Sequence, residues 1–404
     1  MFGKEDTMPT TADPQDTFRD EARAWLEANV PASLRGDSSL VTDASMAGER
    51  PTGDYELWRR RMGEKGWGAP TWPKAYGGGG LTPAEARVLA QAMAAIGVAN
   101  PIIGMGTSMF GPTLLEYGTE DQKQRHIPSI VRGDLRWCQG YSEPGAGSDL
   151  AALQTKLEDA GDHWVVNGQK IWTSGAQWAD WCFCLVRTDT TKKHEGISFV
   201  LINMRQPGVE TRPIKLIAGN SPFCETFFTN ARVEKSDMVG PLNGGWTIGK
   251  RLLQHERSGQ GGGARVLGGG ASLPSLLETY SDHADGESDV RNRVIANLLD
   301  AKAHALTLAR AASEARGNQN PSAATSIMKN SGTRIGQDKA ELTLELMGVQ
   351  GLGWEGDDFA ADERAAVRAW LGGKATTIYG GSFEIQNNII SKRILGLPDS
   401  TKSA

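Results

Sequence analysis

An abrupt change of texture near residue 136 constrains this chain more than any other feature. Before it, residues 14–130 carry apolar side chains at helical spacing. TFRDEARAWLEANV sets Phe18, Ala22, Trp25 and Leu26 on one face, with Pro31 beyond it as a stop. From about 136 to 238 the chain breaks into short β-branched and aromatic runs divided by turn residues: HWVVNGQKIWTSG, WCFCLVRTD, ISFVLINM, VETRPIKLI and CETFFTNARV. From 245 the helical period returns in WTIGKRLLQHER and lasts to the C-terminal IISKRILG. Segregated blocks of this kind predict an α+β protein. The expected parts are an N-terminal all-helical domain over 1–135, a middle antiparallel β-barrel domain over 136–240 and a C-terminal helical bundle over 241–404.

Charge and composition exclude several classes. With 43 Lys and Arg against 48 Asp and Glu, the net charge is −5, and no basic tract occurs. No nucleic-acid partner is expected. The six histidines are scattered with no pair at metal-ligand spacing, so no metal is expected either. Cys182 and Cys184, two apart in a strand-like run, share one face. With Cys138 and Cys224 they read as reduced, buried thiols of a reducing compartment, which places the protein in the cytoplasm. The N-terminal MFGKEDTMPTTADPQDT lacks an apolar core or an Arg-rich amphipathic pattern, and no apolar run is long enough for a bilayer.

Two familiar motifs fail on context. Gly351 to Gly356 matches G-x-G-x-x-G but follows the helical pattern KAELTLELM, whereas a dinucleotide fingerprint follows a strand. GGWTIGK over 244–250 approximates a phosphate loop, but Arg251 stands where a magnesium-binding hydroxyl is needed. The 50 glycines cluster at 77–80, 259–263 and 267–270. On WTIGKRLLQHER, Trp246, Gly249, Leu252, Leu253 and Glu256 share one helical face. A carboxylate on an apolar face is either paired at its edge or partly buried, and burial raises its pKa toward the range of a general base.

Three collinear stretches carry more weight: QGYSEPGAGSDL at 139–150, GQKIWTSG at 168–175 and IYGGSFEIQ at 378–386. In this order and at these separations they resemble the acyl-CoA dehydrogenase family, over nearly the whole chain. The resemblance implies an FAD-dependent α,β-dehydrogenation of an acyl-CoA thioester. It assigns Gln139, Tyr141 and Ser142 to FAD and Ser148 to the CoA moiety. It sets Trp172, Thr173 and Ser174 against the isoalloxazine, with Ser174 at the flavin N5 contact, and adds Glu345, Gly348, Ser382 and Glu384 to the cofactor set. Many members carry their base in I-Y-E-G-T, whereas this chain reads Ile378-Tyr379-Gly380-Gly381-Ser382. A second branch, resembling isovaleryl-CoA and long-chain acyl-CoA dehydrogenases, places a Glu before an Arg on the first helix after the strands. Glu256 and Arg257 match that branch. Glu256 is then the catalytic base for the α-proton, Arg257 orients it or the substrate, and the β-hydrogen leaves as hydride to flavin N5. Gly380 retains the backbone N–H that the family uses on the thioester carbonyl.

The chain departs from the family where FAD meets a neighbouring subunit. R-x-x-F-G is missing from YSDHADGESDVRNRVIANLLD, and Glu345 to Gly351 conforms only in part to Q-x-x-G-G-x-G. The expected assembly is a homodimer or homotetramer, or a heterotetramer with a related subunit that completes the FAD site. The expected electron acceptor is an electron-transfer flavoprotein. A flavin-dependent oxidase or monooxygenase on the same fold is the competing activity.

Overall fold

The structure is a computed structural model and describes residues 14–46, 48, 52–259, 272–280, 288–314 and 325–398. The chain divides into two compact units. One comprises Met1–Tyr141, Gln154–Thr211 and Thr226–Gly249; the other comprises Ser142–Leu153, Arg212–Glu225 and Lys250–Ala404.

In the first unit, helices α1 (Pro14–Asn29), α3 (Asp54–Glu64) and α4 (Pro83–Ala95) enclose one core. The fourfold spacing of Phe18, Ala22 and Leu26 is the buried stripe of α1, and it packs with Trp58, Met62, Trp67, Val88 and Leu89. The short helix α2 (Ser39–Met46) adds Val41 to this core, and the short helix α5 (Gly111–Tyr117) comes later in the unit. Helix α6 (Glu120–Val131) opens with a capping box, in which Thr119 accepts from the Gln122 backbone and Gln122 accepts from the Thr119 backbone. The Gln122 Nε2 also donates to the carbonyls of Ser236 (2.7 Å) and Met238 (2.8 Å).

The strands form one eight-stranded sheet. They are β1 (Trp137–Gly140), β2 (Lys156–Asp159), β3 (His163–Ser174), β4 (Trp181–Arg187), β5 (Ile197–Asn203), β6 (Val209–Ile214), β7 (Phe223–Glu234) and β8 (Met238–Val239). Their order is β6-β7-β3-β2-β4-β5-β8, with β1 beside β4. The wholly antiparallel expectation is corrected here, because β1 runs parallel to β4 with Cys138 opposite Cys182 and Gly140 opposite Cys184. Strand β2 also meets β4 in parallel, at Lys156 and Arg187. Such pairings need a long crossover between the partners, and the chain from 141 to 180 supplies it. Strand β4 is buried along nearly its whole length, which explains its unbroken apolar run WCFCLV before Arg187. All four cysteines are buried, and none forms a disulfide.

The second unit is helical. It holds α8 (Leu273–Thr279), α9 (Ser288–Glu314), α10 (Thr325–Met347), α11 (Ala361–Gly373) and α12 (Phe383–Ile389), while α7 (Gly245–Gly259) leads into it from the sheet. Its core gathers Leu273, Leu276, Val290, Val294, Leu342 and Leu346. Neither rejected motif joins a strand to a helix: 244–250 runs into the first turns of α7, and 351–356 begins in the 3₁₀ turn after α10 and continues as a loop. The glycine clusters beyond 259 lie outside the described residues, as does much of the segment around 281–287. No helix among the described residues is long and apolar enough to cross a membrane.

Candidate functional site

Strands β1 and β3 carry the site residues of the first unit. Gln139 is half-buried in β1, opposite Phe183 of β4, and its Nε2 is covered by protein yet has no hydrogen-bond partner. Thr173, in β3, is fully buried and its hydroxyl likewise lacks one. Buried polar groups are nearly always paired, since each unmade bond costs about 1–3 kcal/mol. Two such groups on adjoining strands therefore fit a ligand that brings its own donors and acceptors.

Next to Thr173 on β3 stands Trp172. It is 52% exposed, and its φ of 59° lies in the left-handed region that bulky residues avoid. This backbone kink interrupts the in–out alternation of the strand, so a large indole faces outward while the next residue, Thr173, is buried. Ser174, half-buried, ends the strand. Tyr141 is buried edge-on against Phe183 (6.2 Å, 87°) and Phe199 (6.5 Å, 89°). Gly140 allows β1 to lie on β4 at all. A Cβ there would fall 2.8 Å from the Cys182 Sγ and 2.9 Å from the Cys184 Sγ.

In the second unit, Ser142 is half-buried and opens a loop closed by reciprocal bonds between the Glu143 and Ala146 backbones, each 3.0 Å. Ser148 is exposed beyond that closure. The segment at 378–382 is presented on the surface, with Ile378 at 71% and Tyr379 at 55% exposure. Gly380 has φ 68°, and a Cβ added to it would meet nothing within 4 Å. Its carbonyl accepts from the Nε2 of Gln386 (2.9 Å), itself buried. Ser382 caps α12 by accepting from the Ile385 N–H, and its hydrogen bond lowers the pKa of the Glu384 carboxyl. Glu345 is committed to an ion pair with Arg293 (2.8 Å), and Gly348 follows with φ 55° as α10 ends. Glu256 and Arg257 are placed on α7 by their backbone; their side chains lie outside the described residues.

The same unit holds a recess of about 480 Å³. Small residues make it: Ala218, Gly219, Gly372 and Ala375, with Arg368 and Tyr379 at its wall. The Arg368 guanidinium lies 4.0 Å over the Trp354 ring and donates to the Trp354 carbonyl (3.1 Å). The sequence reading passed over this recess, over Gln386 and over one further residue, Lys170. The signal for Lys170 was present: Val166, Gly168 and Lys170 alternate along β3, so a lysine falls at an inward position.

Helices, sheet and helices in that order, with an exposed indole beside a buried hydroxyl that lacks a partner, fit the flavoprotein class of dehydrogenases. The chain belongs to the acyl-CoA dehydrogenase family, matching that family's N-terminal domain over 12–134, its middle domain over 138–231 and its C-terminal domain over 243–395. FAD is the cofactor, and the protein is an acyl-CoA dehydrogenase-type oxidoreductase. It is similar to acyl-CoA dehydrogenase IpdE1 of Mycolicibacterium smegmatis, at 36% identity over 402 residues, covering 95% of this chain and 98% of that protein. Among solved structures it resembles the ChsE4–ChsE5 complex of Mycobacterium tuberculosis, with TM-score 0.75 and 30% identity over 97% of this chain and 100% of that one. It also resembles the Tcur3481–Tcur3483 steroid acyl-CoA dehydrogenase, with TM-score 0.73 and 28% identity over 96% and 98%.

Proposed function

We propose that this chain removes hydrogens from the α and β carbons of an acyl-CoA thioester, giving the 2-enoyl product, with Glu256 as the base for the α-proton. Bound FAD supplies the two-electron acceptor. The observation that carries the reading is the pairing at positions 380 and 256. Gly380 leaves open space where many members carry their base, and α7 holds a carboxylate at the position of the other branch. The N–H of Gly380 donates to the thioester carbonyl as charge develops there, and Gln386 steadies that backbone through the neighbouring carbonyl. Gln139 and Thr173 bond the flavin edge, and Trp172 covers its face. Ser174 bonds at N5, and Ser142 extends the same set. Ser148 serves the CoA moiety, and Arg257 orients the base. An electron-transfer flavoprotein reoxidises the cofactor.

The steroid enzyme among the structural relatives and the small-residue recess beside Tyr379 support a bulky, polycyclic acyl group over a linear one. The partner is a related chain. Both solved relatives named above are pairs of distinct chains, and α9 supports association by presenting Ile295, Leu298, Leu299 and Leu306 at 41–65% exposure.

The test is Glu256→Gln. Anaerobic addition of a polycyclic acyl-CoA to the wild type bleaches the flavin spectrum. In the variant the bleaching is lost while FAD remains bound. Bleaching at an unchanged rate would refute the assignment.

A further inference from the structure

Lys170 is fully buried in β3, and no step of the reaction above uses it. Lysine is among the residues least often buried, because taking its charge out of water is expensive. Its Nζ donates to the carbonyl of Tyr141 at 3.1 Å. That bond joins the end of the β1 segment, which carries Gln139 and Tyr141, to the β3 segment two residues before Trp172. The Cys182 thiol is near enough to feel the lysine's charge. Burial pushes the Cys182 thiol well above its ordinary range, against the pull of the Lys170 charge.

The direction of the bond matters. A trans peptide holds its C=O and N–H antiparallel, and the described chain contains no cis peptide. With the Tyr141 carbonyl drawn to Nζ, the N–H of the same peptide unit is turned away from the lysine. A cation on the carbonyl side also polarises that N–H and strengthens it as a donor.

We propose that Lys170 is a positioning residue for the flavin: it fixes the peptide after Tyr141 so that its N–H meets the acceptor edge of the ring, and its buried charge favours the reduced, more negative cofactor. The inference rests on the FAD reading and deepens it. Lys170 touches neither cofactor nor substrate and acts through one peptide plane.

The experiment uses the full-length protein with Lys170→Met, Lys170→Gln and Lys170→Arg. Three quantities are read: FAD dissociation by flavin fluorescence, the two-electron midpoint potential by dye equilibration, and amide hydrogen exchange over residues 139–142 without FAD. In K170M, FAD binding weakens about tenfold, as expected for losing a hydrogen bond to a charged group. Its midpoint potential falls by about 30 mV, a tenfold change in a two-electron equilibrium. K170R recovers most of the potential, whereas K170Q does not. A folded K170M with unchanged affinity and potential overturns the proposal. Should K170M fail to fold, equal potentials in K170R and K170Q overturn it instead. The exchange measurement separates this failure from that of the cofactor reading. Faster exchange at 139–142 in K170Q supports the pin even in a protein that takes up no FAD, whereas unchanged exchange removes it.

Discussion

Trp172 shows how a residue can be held ready at a cost. A left-handed backbone costs a non-glycine residue about 1–2 kcal/mol, and strain of this kind collects where function needs a set geometry. Replacing Trp172 by Asn, which tolerates that conformation, should change stability by less than about 1 kcal/mol, because relief of strain offsets the lost indole contacts. FAD binding should weaken in the same variant. Thermal melting together with flavin fluorescence checks both halves. Gly380, at φ 68°, sits in the same region by a glycine's licence. Gly380→Ala should lower stability by about 1 kcal/mol while keeping the N–H, so flavin bleaching by acyl-CoA should persist in it and be lost in Glu256→Gln. Much at this scale was legible. The three motif blocks single out Gln139, Trp172, Thr173, Gly380 and Ser382 by residue type and order alone. Gln386 was missed because its role comes from a bond to a backbone carbonyl, which no residue-type pattern announces, whereas alternation along β3 did put Lys170 inward. The rule that lysine belongs outside worked against Lys170.

Helices were read well because their evidence is local. The stripe Phe18–Ala22–Leu26 spans nine residues, and the capping box of α6, which the structure reveals, spans four. The box gives an element-scale prediction. Thr119→Ala should cost about 1 kcal/mol in urea unfolding, the usual value of an N-cap. Gln122→Ala should cost more, since it also strips a donor from the carbonyls of Ser236 and Met238. A Gln122 variant no weaker than the Thr119 variant would mean those two bonds add nothing. The strands were found, but their directions were not. Alternation records which face is buried, and β4 is buried nearly throughout, so nothing in WCFCLVR marks β1 as parallel to it. Parallel pairing is a property of the crossover, and sequence texture does not encode it.

At the scale of the molecule, acid sensitivity follows from one histidine. His126 is buried edge-on against Trp137 and Trp181, and burial, aided by the nearby Arg125 charge, brings its pKa down from 6.5 to about 4. The folded chain therefore keeps it neutral while the unfolded chain protonates it first. Its contribution is whole above pH 6.5 and is lost as pH falls from 6.5 to about 4, up to about 3 kcal/mol. Urea midpoints across that window should show a shallower decline in His126→Phe. Association is a second property of the whole. Leu299→Glu with Leu306→Glu on α9 should shift the particle toward a single chain in light scattering, whereas an unchanged mass would place the contact elsewhere. Gly140 carries a different consequence, one for descent. With two sulfurs inside 3 Å of any Cβ it could acquire, position 140 cannot drift alone. Lineages that enlarge it must first trim 182 or 184, so the three should change as a linked set, and an alignment of relatives would display that order of events.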